Sequence, residues 1–255
     1  MQTYLTNYII LLFIIFFAIY FVYINIYIKL NSKEKILISI CCIDEKVSTL
    51  ENCLKHVEKS IGKNPHINIL GMIRKKDKLC EEIFLKYNAT ILYVDNYIYN
   101  KKISLHNLNG ISEKRTKALQ YAKKNKYSIL IFVDADIYIN HYTLKWIIYG
   151  IKLYNADIVC IPYNMRWSKN NDPVLGYINP VEITKVKNNI LPYHKCTMCG
   201  MGCTGINLNS NKIPKKFNIK ELLNIKGEDT GFFWDAFLNN ALVLTTSWHK
   251  VYHDI

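Results

Sequence analysis

Ile129-Leu130-Ile131-Phe132-Val133-Asp134-Ala135-Asp136-Ile137 sets an unbroken apolar run against two carboxylates separated by one residue. Consecutive large apolar side chains suit a strand covered on both faces, as in a parallel sheet packed between helices. In extended backbone, residues two apart share a face, so Asp134 and Asp136 are set to converge at the strand's C-terminal end. Paired carboxylates suit a hard divalent ion, Mg2+ or Mn2+, with diphosphate oxygens filling its remaining positions. A polar turn closing a strand uses Asp as well, so the pair alone leaves both readings open.

The flanking segments alternate. Residues 36–43 (ILISICCI) form a second apolar run, and Ser48 with Glu51 spells a capping box ahead of Leu50, Leu54, Val57 and Ile61 at helical spacing. His66–Ile73 reads as a strand, Asp77–Tyr87 as a helix and Ala89–Val94 as a strand. A basic helix follows over 112–125 with Ala118, Leu119 and Ala122 inward. The strand 127–133, a helix over 142–153 and a strand over 157–162 complete the series. Such alternation predicts an α/β fold, a single Rossmann-like domain whose central sheet is mostly parallel with right-handed crossovers. Ligands of open α/β sheets bind beyond the carboxyl ends of the strands, where Asp134 and Asp136 stand.

Two later stretches carry further chemistry. Lys226-Gly227-Glu228-Asp229-Thr230-Gly231-Phe232-Phe233 places an acidic pair at the start of a helix whose apolar face is Phe232, Phe233, Ala236 and Phe237. A helix N-terminus favours negative charge, so simple capping accounts for the pair; a general base near an acceptor hydroxyl needs only one such carboxylate. Trp248-His249-Lys250-Val251-Tyr252-His253 adds an imidazole near the end of an apolar strand, a metal ligand or a polar surface residue.

Taken together, these motifs resemble those of GT-A fold glycosyltransferases, in the style of family 2, over about residues 35–255. The resemblance implies a GT-A domain transferring a sugar from a nucleotide-diphosphate sugar to an acceptor hydroxyl, with inversion, and with Mn2+ or Mg2+ as cofactor. It implies that Asp136 contacts the metal and diphosphate, that Asp134 approaches the ribose or the metal, and that His253 is a further metal ligand. Asp229 would be the catalytic base with Glu228 supporting it. Asp44, Arg74 and Arg115 would border the nucleotide-sugar donor. Gly202 and Thr204, within Gly200-Met201-Gly202-Cys203-Thr204-Gly205, and Trp167 would lie on the acceptor side. Cys42-Ile43-Asp44-Glu45 and Arg115-Thr116 stand where the family often has Asn-containing pairs. The acceptor's class, glycan, lipid or protein, stays open.

Residues 8–28 (YIILLFIIFFAIYFVYINIYI) carry no formal charge and span about 31 Å as a helix, matching a bilayer's hydrocarbon thickness. The expected division is a tail (1–7), a single-pass transmembrane anchor (8–28), a linker (29–34) and the transferase domain (35–255). Lys29, Lys33 and Lys35 follow the stretch and place the domain in the cytosol by the positive-inside rule, whereas the sequon Asn88-Ala89-Thr90 fits the lumenal alternative. The net charge of +13 comes from 30 Lys but only 3 Arg. Arg is the residue suited to bidentate phosphate recognition, so the surplus does not identify a nucleic-acid binder. Residues 163–199, holding Tyr163, Trp167, Tyr177 and Tyr193, are long enough for an acceptor-binding lid.

Eight cysteines scatter through apolar patterns, unlike a small secreted disulfide scaffold. His194, Cys196, Cys199 and Cys203 form a local cluster that a zinc or iron–sulfur binding module would use, the principal rival from another functional class. An inactive scaffold of the same fold is a second rival. A nucleotidyltransferase would have a Gly-rich loop after the first strand, which Ile40-Cys41-Cys42-Ile43-Asp44-Glu45 lacks.

Overall fold

The structure is a computed structural model describing residues 2–30, 34–94, 105–163, 175–179, 182–184, 192–222, 225–246 and 249–253. The chain divides into two compact units, Met1–Glu34 and Lys35–Ile255.

The first unit is one helix, α1 (Gln2–Leu30), and its side chains are described over residues 6–20, where all are exposed. Among the described residues no helix is long and apolar enough to cross a membrane. The side chains of residues 21–28, the second part of the expected anchor, lie outside the described residues.

The second unit begins with β1 (Ile36–Cys41), a 3-10 turn (Asp44–Thr49) and α2 (Leu50–Ile61). Then come β2 (Ile67–Ile73), α3 (Lys78–Lys86), β3 (Thr90–Tyr93), α4 (Leu105–Lys124), β4 (Ile129–Asp134), the short β5 (Ile137–Tyr138) and α5 (His141–Leu153). β6 (Ile158–Cys160), β7 (Leu175–Asn179), β8 (Glu182–Thr184), β9 (Tyr193–Lys195), β10 (Met198–Cys199) and β11 (Cys203–Asn207) follow. The chain closes with β12 (Lys220–Leu222), β13 (Ile225–Gly227), α6 (Glu228–Leu238), β14 (Val243–Thr246) and β15 (Tyr252–His253).

The main sheet has the order β3-β2-β1-β4-β11-β6-β14-β9. Strands β1, β2, β3 and β4 pair in parallel. β11 is antiparallel to both β4 and β6, so those two run the same way. The five strands expected from apolar runs are thus codirectional, with an unexpected antiparallel strand lodged between the last two. That strand is the small-residue segment around Gly205, where a Cβ would come within 2.1 Å of Ile147 Cγ2 on α5. Glycine lets the helix lie against the sheet. Leu37, Leu70, Leu130, Phe132, Ile158 and Ile206 on the sheet pack with Ala118, Leu119 and Ala122 of α4 and Phe232 and Phe233 of α6.

The expected capping box at Ser48 does not form. A 3-10 turn leads straight into α2, whose N-cap Thr49 makes no side-chain cap bond. β4 ends at Asp134, and Asp136 sits in the turn before β5 rather than in extended strand. Burial still alternates: Val133, Ala135, Ile137 and Ile139 are buried while Asp134 and Asp136 are partly exposed, so the two carboxylates keep one side.

Candidate functional site

The parallel register aligns Cys41 with Met72 on one side and with Asp134 on the other. The C-terminal ends of β2, β1 and β4 therefore form one rim, and α4 and α6 bring charged side chains to it. On α4, helical spacing puts Lys114 and Arg115 on the inward face four residues before Ala118 and Leu119. Both are buried, at 2% and 5% exposure.

Arg115 is the hub. Its Nη2 donates to Asp134 Oδ1 at 2.9 Å, and its Nη1 donates to Glu228 Oε1, the first residue of α6. One guanidinium thus joins the end of β4 to the start of α6, 113 residues apart in sequence for the Glu228 contact. Arg115 Nε is buried without a hydrogen-bond partner among the described residues. Burial opposes the Arg115 charge, but Asp134 and Glu228 outweigh it and hold the group firmly protonated. Glu228 is buried, which raises its pKa to about 7 against the lowering pull of Arg115, with the like charge of Asp229 adding to the rise.

Asp229 keeps a partial opening to solvent. Protein around it raises its pKa by desolvation, and Arg115 again pulls the other way. Its Oδ1 accepts from Thr230 N at 2.7 Å, and a Cβ at Gly227 would come within 2.4 Å of that oxygen, so residue 227 must be small for this carboxylate pose.

Gly202 closes the rim from β11's side. Asp134 N donates to Gly202 O at 2.8 Å, and Gly202 N donates to the hydroxyl of Tyr163 at 3.1 Å. A Cβ on Gly202 would meet Asp134 Oδ2 and the Tyr163 hydroxyl, each at 2.8 Å. Thr204 is fully buried and donates to Gly200 O at 3.1 Å, which makes it a local brace of the turn.

Asp44 and Arg74 are engaged in a second ionic cluster. Arg74 grips Asp77 through backbone N and Nε at 2.9 Å and 2.8–2.9 Å, with Nη2 adding a third donor. Asp44 accepts from Cys80 N at 2.9 Å and Leu79 N at 3.3 Å, capping α3 from a distant turn. Lys114 lies between the clusters and donates to Cys42 O at 2.9 Å; burial lowers its pKa.

The backbone of His253 lies beside β5. β15 pairs antiparallel with β5, setting His253 opposite Ile137, the residue after Asp136. The side chain of His253 and all of Trp167 lie outside the described residues. Among the described residues no three His, Cys, Asp or Glu side chains form a metal-binding group. The cysteine cluster has another arrangement: Cys199 is disulfide-bonded to Cys160, while Cys196 and Cys203 are buried and free. The expected zinc or iron–sulfur alternative finds no support there.

Lys114 and Asp77 were not singled out as site residues by sequence reasoning, and Tyr163 entered only as one ring of the 163–199 lid. Lys114 had a signal, since the spacing that turns Ala118 and Ala122 inward turns it inward too. Tyr163 had none beyond its ring, because its hydroxyl meets Gly202 through the sheet crossing.

No protein-family model matches the chain, and no curated protein matches it. Solved structures do. The crystal structure of S. aureus TarS 1-349 is 17% identical, covering 86% of this chain and 60% of that one, with a TM-score of 0.53. The same TarS fragment in complex with UDP-GlcNAc is 14% identical over 86% and 58%, with a TM-score of 0.54. Mannosyltransferase PcManGT from Pyrobaculum calidifontis, in complex with GDP-Man and Mn2+, is 10% identical over 87% and 57%, with a TM-score of 0.51. The chain spans 60% or less of the length of these structures. Both proteins are GT-A-type glycosyltransferases, and the shared fold is the GT-A fold.

Proposed function

We propose that this GT-A fold domain is a metal-dependent glycosyltransferase, moving a sugar from a nucleotide-diphosphate sugar to an acceptor hydroxyl with inversion. The observation that carries this reading is the Arg115 bridge, which brings the Asp134-Ala135-Asp136 turn and the Glu228-Asp229 step to one rim of the sheet. The neighbours' complexes with UDP-GlcNAc and with GDP-Man and Mn2+ supply the donor class.

Asp229 is the proposed base. Its raised pKa and partial exposure suit a carboxylate that takes a proton from an attacking hydroxyl. Glu228 holds Arg115, so that Arg115 stays aimed at Asp134. Asp44 and Arg74 fix the β2–α3 turn beside the same rim, which is their proposed contribution to the nucleotide pocket. Gly202 keeps the acceptor side open next to Asp134.

The donor set fits a hard divalent ion. Asp136 is partly exposed in the turn, His253 is the further ligand proposed from the resemblance, and carboxylate plus imidazole suits Mn2+ or Mg2+. When bound there, such an ion neutralises charge developing on the departing nucleotide diphosphate. Asp134 has one oxygen committed to Arg115 and is proposed to orient rather than to hold the ion alone. The charge-free stretch 8–28 is proposed as a membrane attachment, with the domain on the cytosolic side as the lysines after it favour.

A hydrolysis and binding screen across UDP-, GDP- and other nucleotide sugars with Mn2+ tests the reading. One donor should be bound and turned over, and Asp136→Ala should lose both. Failure of every nucleotide sugar to bind the wild-type chain would overturn it.

A further inference from the structure

The opposite rim of the sheet, at the N-terminal ends of the parallel strands, carries charge of the other sign. Ile36 N donates to His66 O and Ser128 N to Lys35 O, each at 2.9 Å, while Leu208 N donates to Ser128 O at 2.9 Å. These bonds gather the turns before β1, β2 and β4 and after β11 onto one surface. Exposed on those turns are Lys35, Lys63, Lys123, Lys124, Lys126 and Lys215, together with Lys212, which pairs with Asp157 at 3.6 Å.

Several lysines elsewhere on the domain have an acidic neighbour: Lys78 pairs with Glu81, Lys86 with Glu51, Lys117 with Glu113 and Lys220 with Asp235. Among the described residues, Lys212 apart, none of these lysines pairs with a carboxylate. Lys35 instead donates to Asn125 O at 3.0 Å and lies over the Tyr127 ring at 4.5 Å. Lys123 and Lys215 stand close enough for like-charge repulsion to be felt between them.

Helix-dipole compensation accounts for Lys123 and Lys124, which lie in the last turn of α4. It does not account for Lys35, Lys63, Lys126 or Lys215, which lie outside helices. Beside the lysines, α6 ends with Phe237 and Leu238 at 38% and 58% exposure, and Asn239 Nδ2 donates to Lys212 O at 3.1 Å. A field of unpaired ammonium groups with two exposed apolar side chains at its margin matches a bilayer surface of anionic headgroups, which attracts clustered lysines and accepts shallow apolar contacts.

We propose that this lysine rim docks on an anionic lipid bilayer. The domain's first residue, Lys35, lies on the rim, and the charge-free stretch 8–28 precedes it in the sequence. That chain order favours a membrane over nucleic acid, the other partner that unpaired lysines could serve. The inference does not depend on the transferase reading.

The test follows amide hydrogen exchange of the full chain with vesicles of phosphatidylcholine alone or of phosphatidylcholine with phosphatidylglycerol. Turns 61–66, 121–128 and 208–216 should be protected only with phosphatidylglycerol, and the protection should fade as salt rises. Each lysine neutralised should weaken it by about fivefold, so Lys63→Gln with Lys123→Gln, Lys124→Gln and Lys126→Gln should remove it. Equal exchange with both vesicles overturns the proposal, with no variant needed. So does protection of these turns by an oligonucleotide when phosphatidylglycerol gives none.

Discussion

Arg74 and Arg115 are both buried arginines at the same rim, yet they sit in clusters of different balance. Arg74 faces Asp77 three residues later, and Asp77's charge is matched locally by one guanidinium, with its pKa held low by Arg74 bonds that outweigh burial. Arg115 faces Asp134 and Glu228, and Asp229 adds a third carboxylate within its electrostatic reach. With Asp44 counted, the first cluster sets two carboxylates beside Arg74, both committed to local partners and in that sense closed, whereas the second sets three against Arg115 and carries the larger surplus of negative charge. Closed clusters hold turns, whereas surplus carboxylate at a partly open rim is available for chemistry.

The largest effect expected from this contrast is on turnover. Asp229→Asn keeps the size of the side chain and removes the base, so transfer should fall by about 10²–10⁴-fold with donor affinity unchanged. Single-turnover transfer beside donor titration checks it. Wild-type transfer by the variant would shift the base role elsewhere in the surplus cluster.

Arg74→Ala should show the reverse pattern. Removing one partner of a buried ion pair destabilises by about 3–5 kcal/mol. Thermal unfolding should therefore drop strongly, while the surviving folded fraction transfers at a near-normal rate per molecule. A fall in that intrinsic rate, with stability kept, would place Arg74 in the donor pocket itself.

The surplus cluster should also be sensitive to pH, with opposite signs for stability and activity. Glu228 is raised from its ordinary 4.5 to about 7, so the folded state binds that proton more tightly than the unfolded chain does. Its contribution is present in full at acidic pH and is lost as pH rises through about 7, on the order of a few kcal/mol. Asp229 must be ionised to act, so transfer should rise with pH over an acidic limb above the ordinary Asp range. Unfolding curves of wild type and Glu228→Gln across pH 5–8 measure the first part, and a pH profile of kcat/KM the second.

How far the sequence discloses this arrangement varies by element. β1, β2, β3, β4 and β6 were legible because each is an apolar run bounded by polar turns. β11 was not, since Cys203-Thr204-Gly205 shows neither an apolar run nor alternation; its identity comes from pairing with β4 and β6 and from Gly205 admitting Ile147. The acidic residues of the site were legible as motifs, but their union through Arg115 was not, because no local pattern encodes a contact spanning 113 residues. Ser48 and Glu51 carry a capping pattern that the 3-10 turn at Asp44–Thr49 supersedes.

Asp44 gives the smallest effect and the finest discrimination between the two clusters. Its carboxylate accepts from Leu79 N and Cys80 N, two amides at the start of α3 that the helix itself cannot satisfy. Losing such a cap destabilises by about 1 kcal/mol. If Asp44 belongs wholly to the closed cluster, Asp44→Ala lowers the melting temperature modestly and leaves donor affinity alone. If its second role is at the nucleotide, donor affinity weakens with little change in melting. Asp44→Asn separates the cases again, since its single amide oxygen can still accept the shorter bond from Cys80 N while the charge and the Leu79 N bond are lost. A variant that melts normally but binds donor weakly would show that the negative charge, and not the cap, is what the site requires of this residue.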